Sequence, residues 1–270
     1  MPEQLLKNFS IEIEQKLYEK ETPQGNIAVY QTSPFGMMLT LNNQVVISES
    51  DGFFYFEMMS HPALFTHSKP EKVAIIGNTF GILQEVLKHP NVIDICCVDN
   101  NIYLKDAVAQ YFSHQHQQDA RIKYHSLPTS QWLSQCEPNT YDVIIQIEQP
   151  DDYLEENFKN YFRILKNEGI LVQPCRTSFL HPKSLKPIYQ NIQHAGFSDW
   201  QILNFPQPSY PSGWRTAMMA TKRPTFNHVR EKAIFNRPFT TRYYNFDVHK
   251  AALVMPEFMR KELEDDVLTQ

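Results

Sequence analysis

From about residue 11 to 55 the chain carries short runs rich in β-branched and apolar residues, IAVYQT, MMLTLNN and QVVISES, broken by Pro34, Gly36 and the Asn42-Asn43 pair. Runs of that length between turn residues predict a meander of antiparallel strands. The segment FFYFEMMSHPALFTH (53–67) then places apolar residues at helical spacing and stops near Lys69-Pro70, which predicts a helix linking two domains. Beyond Pro70 the pattern changes: KVAIIG (72–77), VIDICCVD (92–99), ARIKYHSL (120–127), YDVIIQI (141–147) and GILVQP (169–174) alternate with amphipathic segments of helix length. Near-continuous apolar strands separated by helices describe a parallel sheet covered on both faces. Near the end, SDWQILNFP and WRTAMMATK predict an antiparallel pair that extends this sheet. The expected architecture is α/β: a small N-terminal antiparallel β domain with its linker helix over 1–67, then a doubly wound domain over 68–270.

Composition narrows the class. With 42% hydrophobic and 13% aromatic residues, the 270-residue chain can fill a sizeable core. It contains no run of about 18 apolar residues to span a bilayer, and the start MPEQLLKNFSIEIEQ is polar and acidic rather than signal-like. A cytoplasmic location is expected, with no membrane partner. Net charge of −5 argues against a nucleic-acid binder, which concentrates Lys and Arg against phosphates, and suits a cationic substrate. Cys96, Cys97, Cys136 and Cys175 lack metal-ligand spacing and read as buried reduced thiols, with adjacent Cys96 and Cys97 on opposite faces of one strand. His114 and His116 in HQHQQDA read as a solvated helix end rather than a metal site, and no metal is expected.

The candidate chemistry begins at KVAIIGNTFG, where Gly77 closes the first strand of the second domain and Gly81 opens a helix. Backbone at such a turn approaches a ligand closely, in the crevice beyond the strand ends. Asp99 ends the next strand, some twenty residues on, where an acidic side chain accepts hydrogen bonds from ribose hydroxyls. The turn lacks GK[ST] and the dense glycines that cradle a diphosphate, so a phosphate-free adenosine ligand fits better, and the second domain is expected to be Rossmann-like, of methyltransferase type.

Four pieces then resemble the spermidine synthase (polyamine aminopropyltransferase) family: DGFFYFEMMSHPALFTH (51–67), KVAIIG with LQEVLKH (72–89), PSYPSGW (208–214) and RYYNFDVHKAALVMP (242–256). The resemblance implies transfer of the aminopropyl group of decarboxylated S-adenosylmethionine to putrescine, giving spermidine and methylthioadenosine, with no cofactor beyond that co-substrate. It implies that Gln24 and Asp99 contact the donor, that Tyr55 and Tyr210 form the diamine groove, and that the chain assembles as a homodimer or homotetramer.

The sequence also departs from the family pattern. The G-G-G-D-G turn is GNTFG here, the histidine after Tyr55 is Phe56, the adenine-contacting D-G pair is Pro128-Thr129, and the D-[ST]-[ST]-D-P loop is Gln-Ile-Glu-Gln-Pro over 146–150. Both loop aspartates are lost. Glu148 is the carboxylate left inside that loop and is assigned catalysis together with Tyr210, while Gln149 joins Tyr55 and Tyr210 as a substrate contact. Asp151 and Asp152 read as helix-capping acids. A decayed, non-catalytic nucleoside or polyamine binder is the first alternative, and a small-molecule methyltransferase the second.

Overall fold

The computed structural model describes residues 11–112, 119–147, 155–176, 180, 181, 184–224, 226 and 228–264. Four strands, β1 (Ile13–Thr22), β2 (Gly25–Thr32), β3 (Gly36–Leu41) and β4 (Gln44–Ser48), form an antiparallel sheet in sequence order. Asn42 and Asn43 both take positive φ, 51° and 61°, the left-handed pair that joins a tight two-residue hairpin between β3 and β4. β1 falls inside the span expected for the meander but outside its three quoted runs, because its sequence, IEQKLYEKET, is polar on both sides and mostly exposed. As an edge strand it is held by main-chain pairing to β2, and its charges blunt further pairing.

Helix α1 (Gly52–Thr66) follows and is apolar all round, so it has no wet face to present. It is buried in one core with β5 (Lys72–Ile76) and α2 (Phe80–Leu87) of the second unit. The chain continues through β6 (Asp94–Val98), α3 (Ile102–Tyr111), β7 (Ile122–His125), α4 (Thr129–Gln135), β8 (Tyr141–Gln146), α5 (Glu155–Ile164), β9 (Leu165–Cys175), α6 (Leu185–Ala195), β10 (Asp199–Pro206) and β11 (Trp214–Thr221). Three short helices, α7 (Glu231–Phe235), α8 (Phe246–Ala252) and α9 (Glu257–Glu264), close the described chain.

The large sheet has seven strands in the order β10-β11-β9-β8-β5-β6-β7. β5 to β9 run parallel, and β11 pairs antiparallel with both β9 and β10. Its two faces explain the continuous apolar runs. Val73 and Ile75 of β5 enter the core beneath α1 and α2, whereas Ala74 and Ile76 enter the opposite core with α5 and α6. Cys97 and Cys96 divide between the same two cores, and all four cysteines are free thiols, Cys136 being the one only partly buried. The chain turns back between β5 and β8, so the crevice at a doubly wound sheet's switch point opens where these strands end. No described helix is long and apolar enough to cross a membrane.

Candidate functional site

The end of β5 supplies the first wall. Gly77 takes φ 95°, a left-handed conformation that side chains resist, while its N–H donates to Val98 O at 2.8 Å and ties the turn to β6. One strand over, Asp99 is buried at 5% exposure. Its Oδ1 accepts from Asn101 N at 2.9 Å, and Asn101 in turn caps α3 by accepting from Leu104 N. Asp99 Oδ2 has no hydrogen-bond partner among the described residues, and Lys105 Nζ stands 3.9 Å from it. Burial raises the Asp99 carboxyl above its ordinary 3.8. A buried carboxylate oxygen left open at the crevice is suited to accept from ligand hydroxyls.

The second wall is a cavity assembled from distant segments. Val45 and Val46 of β4, Tyr55 and Phe56 of α1, Asn78 after β5 and Ile147 after β8 line it. Cys175 and Arg176 at the end of β9, Tyr210 of the β10–β11 loop and Arg215 of β11 line it too. Burial pushes the Tyr55 hydroxyl up to about 12, so it remains a hydrogen-bond donor near neutral pH. The Arg215 guanidinium lies 3.8 Å from the Tyr210 ring centroid and 5.1 Å from that of Tyr55, close enough for cation–π attraction to both.

The loop bearing Tyr210 is held from α1. Asp51, buried at 4% exposure just before that helix, accepts from Ser209 N at 2.6 Å and from Ser209 Oγ at 2.8 Å. Gln207 Nε2 donates to Ser209 Oγ at 3.4 Å, and Arg215 Nε donates to Gln207 Oε1 at 2.7 Å. Asp51→Ala leaves two buried donors without their acceptor, a cost of about 2 kcal/mol. It also frees Tyr210 from register, so we expect about tenfold weaker binding of a ligand in this cavity, read by calorimetric titration alongside denaturant unfolding.

The expected site residues are placed unevenly. Tyr55 and Tyr210 meet in one cavity, and Gly77 and Asp99 stand at neighbouring strand ends. The space beside Gly81 is taken by the Phe56 ring, whose Cδ2 lies 2.1 Å from where a Cβ would sit. Gln24 is exposed at the tip of the β1–β2 turn, its N–H on Thr22 Oγ1, and it does not line the cavity. Glu148 and Gln149 lie outside the described residues, as do Asp151, Asp152, His114 and His116. Among the described residues, no three His, Cys, Asp or Glu side chains converge as metal ligands. Sequence reasoning missed Arg215 and Asp51. A lone arginine opening an otherwise apolar strand was the available signal.

Comparison with known proteins bears on this arrangement. Residues 52–232 match the model of the spermine/spermidine synthase domain, and residues 6–49 match that of the spermidine synthase tetramerisation domain. The polyamine aminopropyltransferase of Thioalkalivibrio sulfidiphilus is 37% identical over 266 residues, covering 94% of each chain. That of Nitrosococcus oceani is 36% identical over 265 residues, covering 95% of this chain and 93% of its own. In fold, the spermidine synthase from Thermotoga maritima superposes with a TM-score of 0.87 at 24% identity, covering 94% of this chain and 89% of that one. A spermidine synthase in complex with the transition-state analogue AdoDATO gives 0.88, also at 24% identity and with the same coverage.

Proposed function

Because the chain belongs to the spermine/spermidine synthase family, we propose that it is a transferase moving the aminopropyl group of decarboxylated S-adenosylmethionine to an amine, as its polyamine aminopropyltransferase relatives are named for doing. Putrescine, giving spermidine, is the reference acceptor. One observation carries the reading: Tyr55 and Tyr210, far apart in sequence, face one cavity beside the switch-point crevice that holds Gly77 and the open oxygen of Asp99.

The reaction needs a neutral amine. Its nitrogen attacks the methylene beside the sulfonium, a C–N bond forms, the C–S bond breaks with its electron pair going to sulfur, and methylthioadenosine leaves. An alkylammonium of pKa about 10.4 must first lose a proton, at roughly 4 to 5 kcal/mol near pH 7. Asp99 is suited to hold the ribose hydroxyls while the left-handed Gly77 keeps the turn clear of the nucleoside. Tyr55, still protonated at neutral pH, orients the amine by hydrogen bonding and does not take its proton. Glu148 is assigned as the proton acceptor, with Gln149 beside it contacting substrate. Much of the remaining acceleration comes from holding amine and sulfonium in line.

The test is incubation with decarboxylated S-adenosylmethionine and putrescine, following methylthioadenosine and spermidine by mass spectrometry beside a donor-only sample. Matched formation of both products is expected, with Glu148→Gln at least a hundredfold slower. If neither product exceeds the donor-only background with putrescine, cadaverine or spermidine, the transferase reading is lost. Assembly as a homodimer or homotetramer through the β1–β4 sheet is proposed from the match of 6–49, and light scattering of the purified protein measures it.

A further inference from the structure

Tyr55 and Tyr210 are held by their rings, not by their hydroxyls. Neither hydroxyl has a hydrogen-bond partner among the described residues, so both are left for a ligand in the cavity they line. What the two rings share is Arg215, whose guanidinium lies 3.8 Å from the Tyr210 centroid and 5.1 Å from that of Tyr55. The supports are unequal. Tyr55 is fixed on α1 and also meets the rings of Phe56 and Phe205, each at 6.3 Å between centroids. Tyr210 pairs with no aromatic ring among the described residues, so Arg215 is the group that places it.

Arg215 is itself anchored. Its Nε donates to Gln207 Oε1 at 2.7 Å, and Gln207 opens the loop that Gly213 closes, with Gln207 N on Gly213 O at 3.0 Å. One side chain therefore joins the base of the loop, the tyrosine within it and the tyrosine on α1. Burial lowers the guanidinium pKa, whereas Tyr55, Tyr210 and Asp51 favour its charged form, which an arginine keeps at any working pH. A planar cation stacked on a ring restrains the ring's tilt as well as its distance, which a compact ammonium does not.

Its place in the sheet separates this group from the nucleoside end. Thr216 of β11 pairs with Cys175 at the end of β9, so Arg215 stands at the same edge of the sheet as Gly77. In the order β11-β9-β8-β5 the two lie three strand spacings apart, roughly 14 Å at about 4.8 Å each. Loss of Arg215 should therefore spare the donor and be felt at the acceptor.

We propose that Arg215 is a positioning residue for the acceptor amine: it sets the Tyr210 ring against Tyr55 and so aims the Tyr210 hydroxyl at the amine. The proposal rests on the transferase reading and names the residue that orders its acceptor end. Arg215 takes no proton and makes no bond to substrate, and the bond changes are those given above.

A double-mutant cycle tests this, because a residue that acts through another loses its effect once the other is gone. Wild type, Arg215→Met, Tyr210→Phe and the double variant are titrated calorimetrically with methylthioadenosine alone, and with putrescine in saturating methylthioadenosine. Arg215→Met is expected to weaken putrescine at least tenfold beside Tyr210 and less than threefold in the Tyr210→Phe background, with methylthioadenosine affinity within threefold throughout. Arg215→Lys, which keeps the cation and loses the planar stack, should fall between wild type and Arg215→Met. Equal losses in the two backgrounds, a loss under threefold beside Tyr210, or a methylthioadenosine affinity that falls with that of putrescine overturns the proposal. A wild type that binds no amine overturns it as well. Should Arg215→Met not fold, the cycle is run with Arg215→Lys: a loss of at least threefold that disappears in Tyr210→Phe supports the proposal, and equal losses overturn it. Product formation by wild type from decarboxylated S-adenosylmethionine and putrescine is scored separately. Product beside equal losses removes only the role of Arg215, and coupled losses without product remove only the transferase reading.

Discussion

Replacing Glu57 with Ala is expected to destabilise the protein by about 4 kcal/mol, and Glu57→Gln by about 2, with little effect on ligand affinity measured well below the unfolding transition. Glu57 is 1% exposed on α1 and gathers three main-chain donors of the C-terminal segment: Arg242 N at 2.7 Å to Oε1, with Tyr243 N at 2.9 Å and Tyr244 N at 2.7 Å to Oε2. Hydrogen bonds to a charged acceptor contribute roughly 1.5 to 3 kcal/mol each, and a buried N–H left unpaired costs about 1 to 3. Alanine removes all three acceptors. Glutamine keeps one oxygen for two of the donors and turns an amide NH2 toward the third, hence the smaller figure. The bonded segment seats Tyr244 parallel to Phe65 at 5.7 Å between ring centroids, with the Tyr244 hydroxyl 2.8 Å from His249 Nδ1, so its release loosens a large aromatic cluster. Chemical denaturation of the wild type and both variants measures the effect. A loss under about 1 kcal/mol for Glu57→Ala contradicts the clamp.

That clamp shows what the sequence signature encoded. DGFFYFEMMSHPALFTH and RYYNFDVHKAALVMP resembled a family before any ligand was considered, and in the fold these two pieces meet through Glu57. Much of the signature therefore reports how the tail docks on α1 rather than what the site binds. The strands of the large sheet were legible for a related reason: β5, β6, β8 and β9 are buried on both faces, which forces continuous apolar runs. β1, though inside the expected meander span, shows no apolar run of its own, because an edge strand held by main-chain bonds needs no apolar code. β9 runs from Leu165, earlier than the apolar run GILVQP indicates, because the polar Lys166, Asn167 and Glu168 interrupt the apolar pattern after Leu165, which pairs with Tyr141 of β8. Gly81 illustrates an ambiguity of pattern: a glycine opening a helix after a strand fits a ligand turn, and here its missing side chain admits the Phe56 ring. Arg215 was hidden because its importance depends on Tyr55 and Tyr210 arriving from elsewhere in the chain, and no local spacing records such a meeting.

Asp99 is expected to behave in the opposite way to Glu57. Asp99→Ala should weaken binding of the nucleoside donor about a hundredfold, and Asp99→Asn about tenfold, while changing stability by less than about 1 kcal/mol. The wild-type carboxylate makes one local hydrogen bond, to Asn101 N, and its buried Oδ2 has only the Lys105 ammonium at 3.9 Å, so the burial of its charge offsets most of what the fold gains from it. A donor that places two hydroxyls on those oxygens gains charge-assisted bonds of roughly 1.5 to 3 kcal/mol each, less the ordering cost, which leaves about 2.7 kcal/mol, or a factor of a hundred. Asparagine retains one acceptor oxygen and forfeits the charge. The same group sets a pH dependence whose sign follows from its environment. Burial raises the carboxyl pKa above its ordinary 3.8, so the ionised form that accepts from hydroxyls is lost at a higher pH than for an exposed aspartate. Donor affinity should therefore be full near neutrality and fall as pH drops through that raised value, and the fall should be absent in Asp99→Ala, which has no proton to gain there. Calorimetric titration of methylthioadenosine against the three proteins from pH 7 downward reads both effects. An affinity in Asp99→Ala within threefold of wild type at pH 7 removes Asp99 from the nucleoside site.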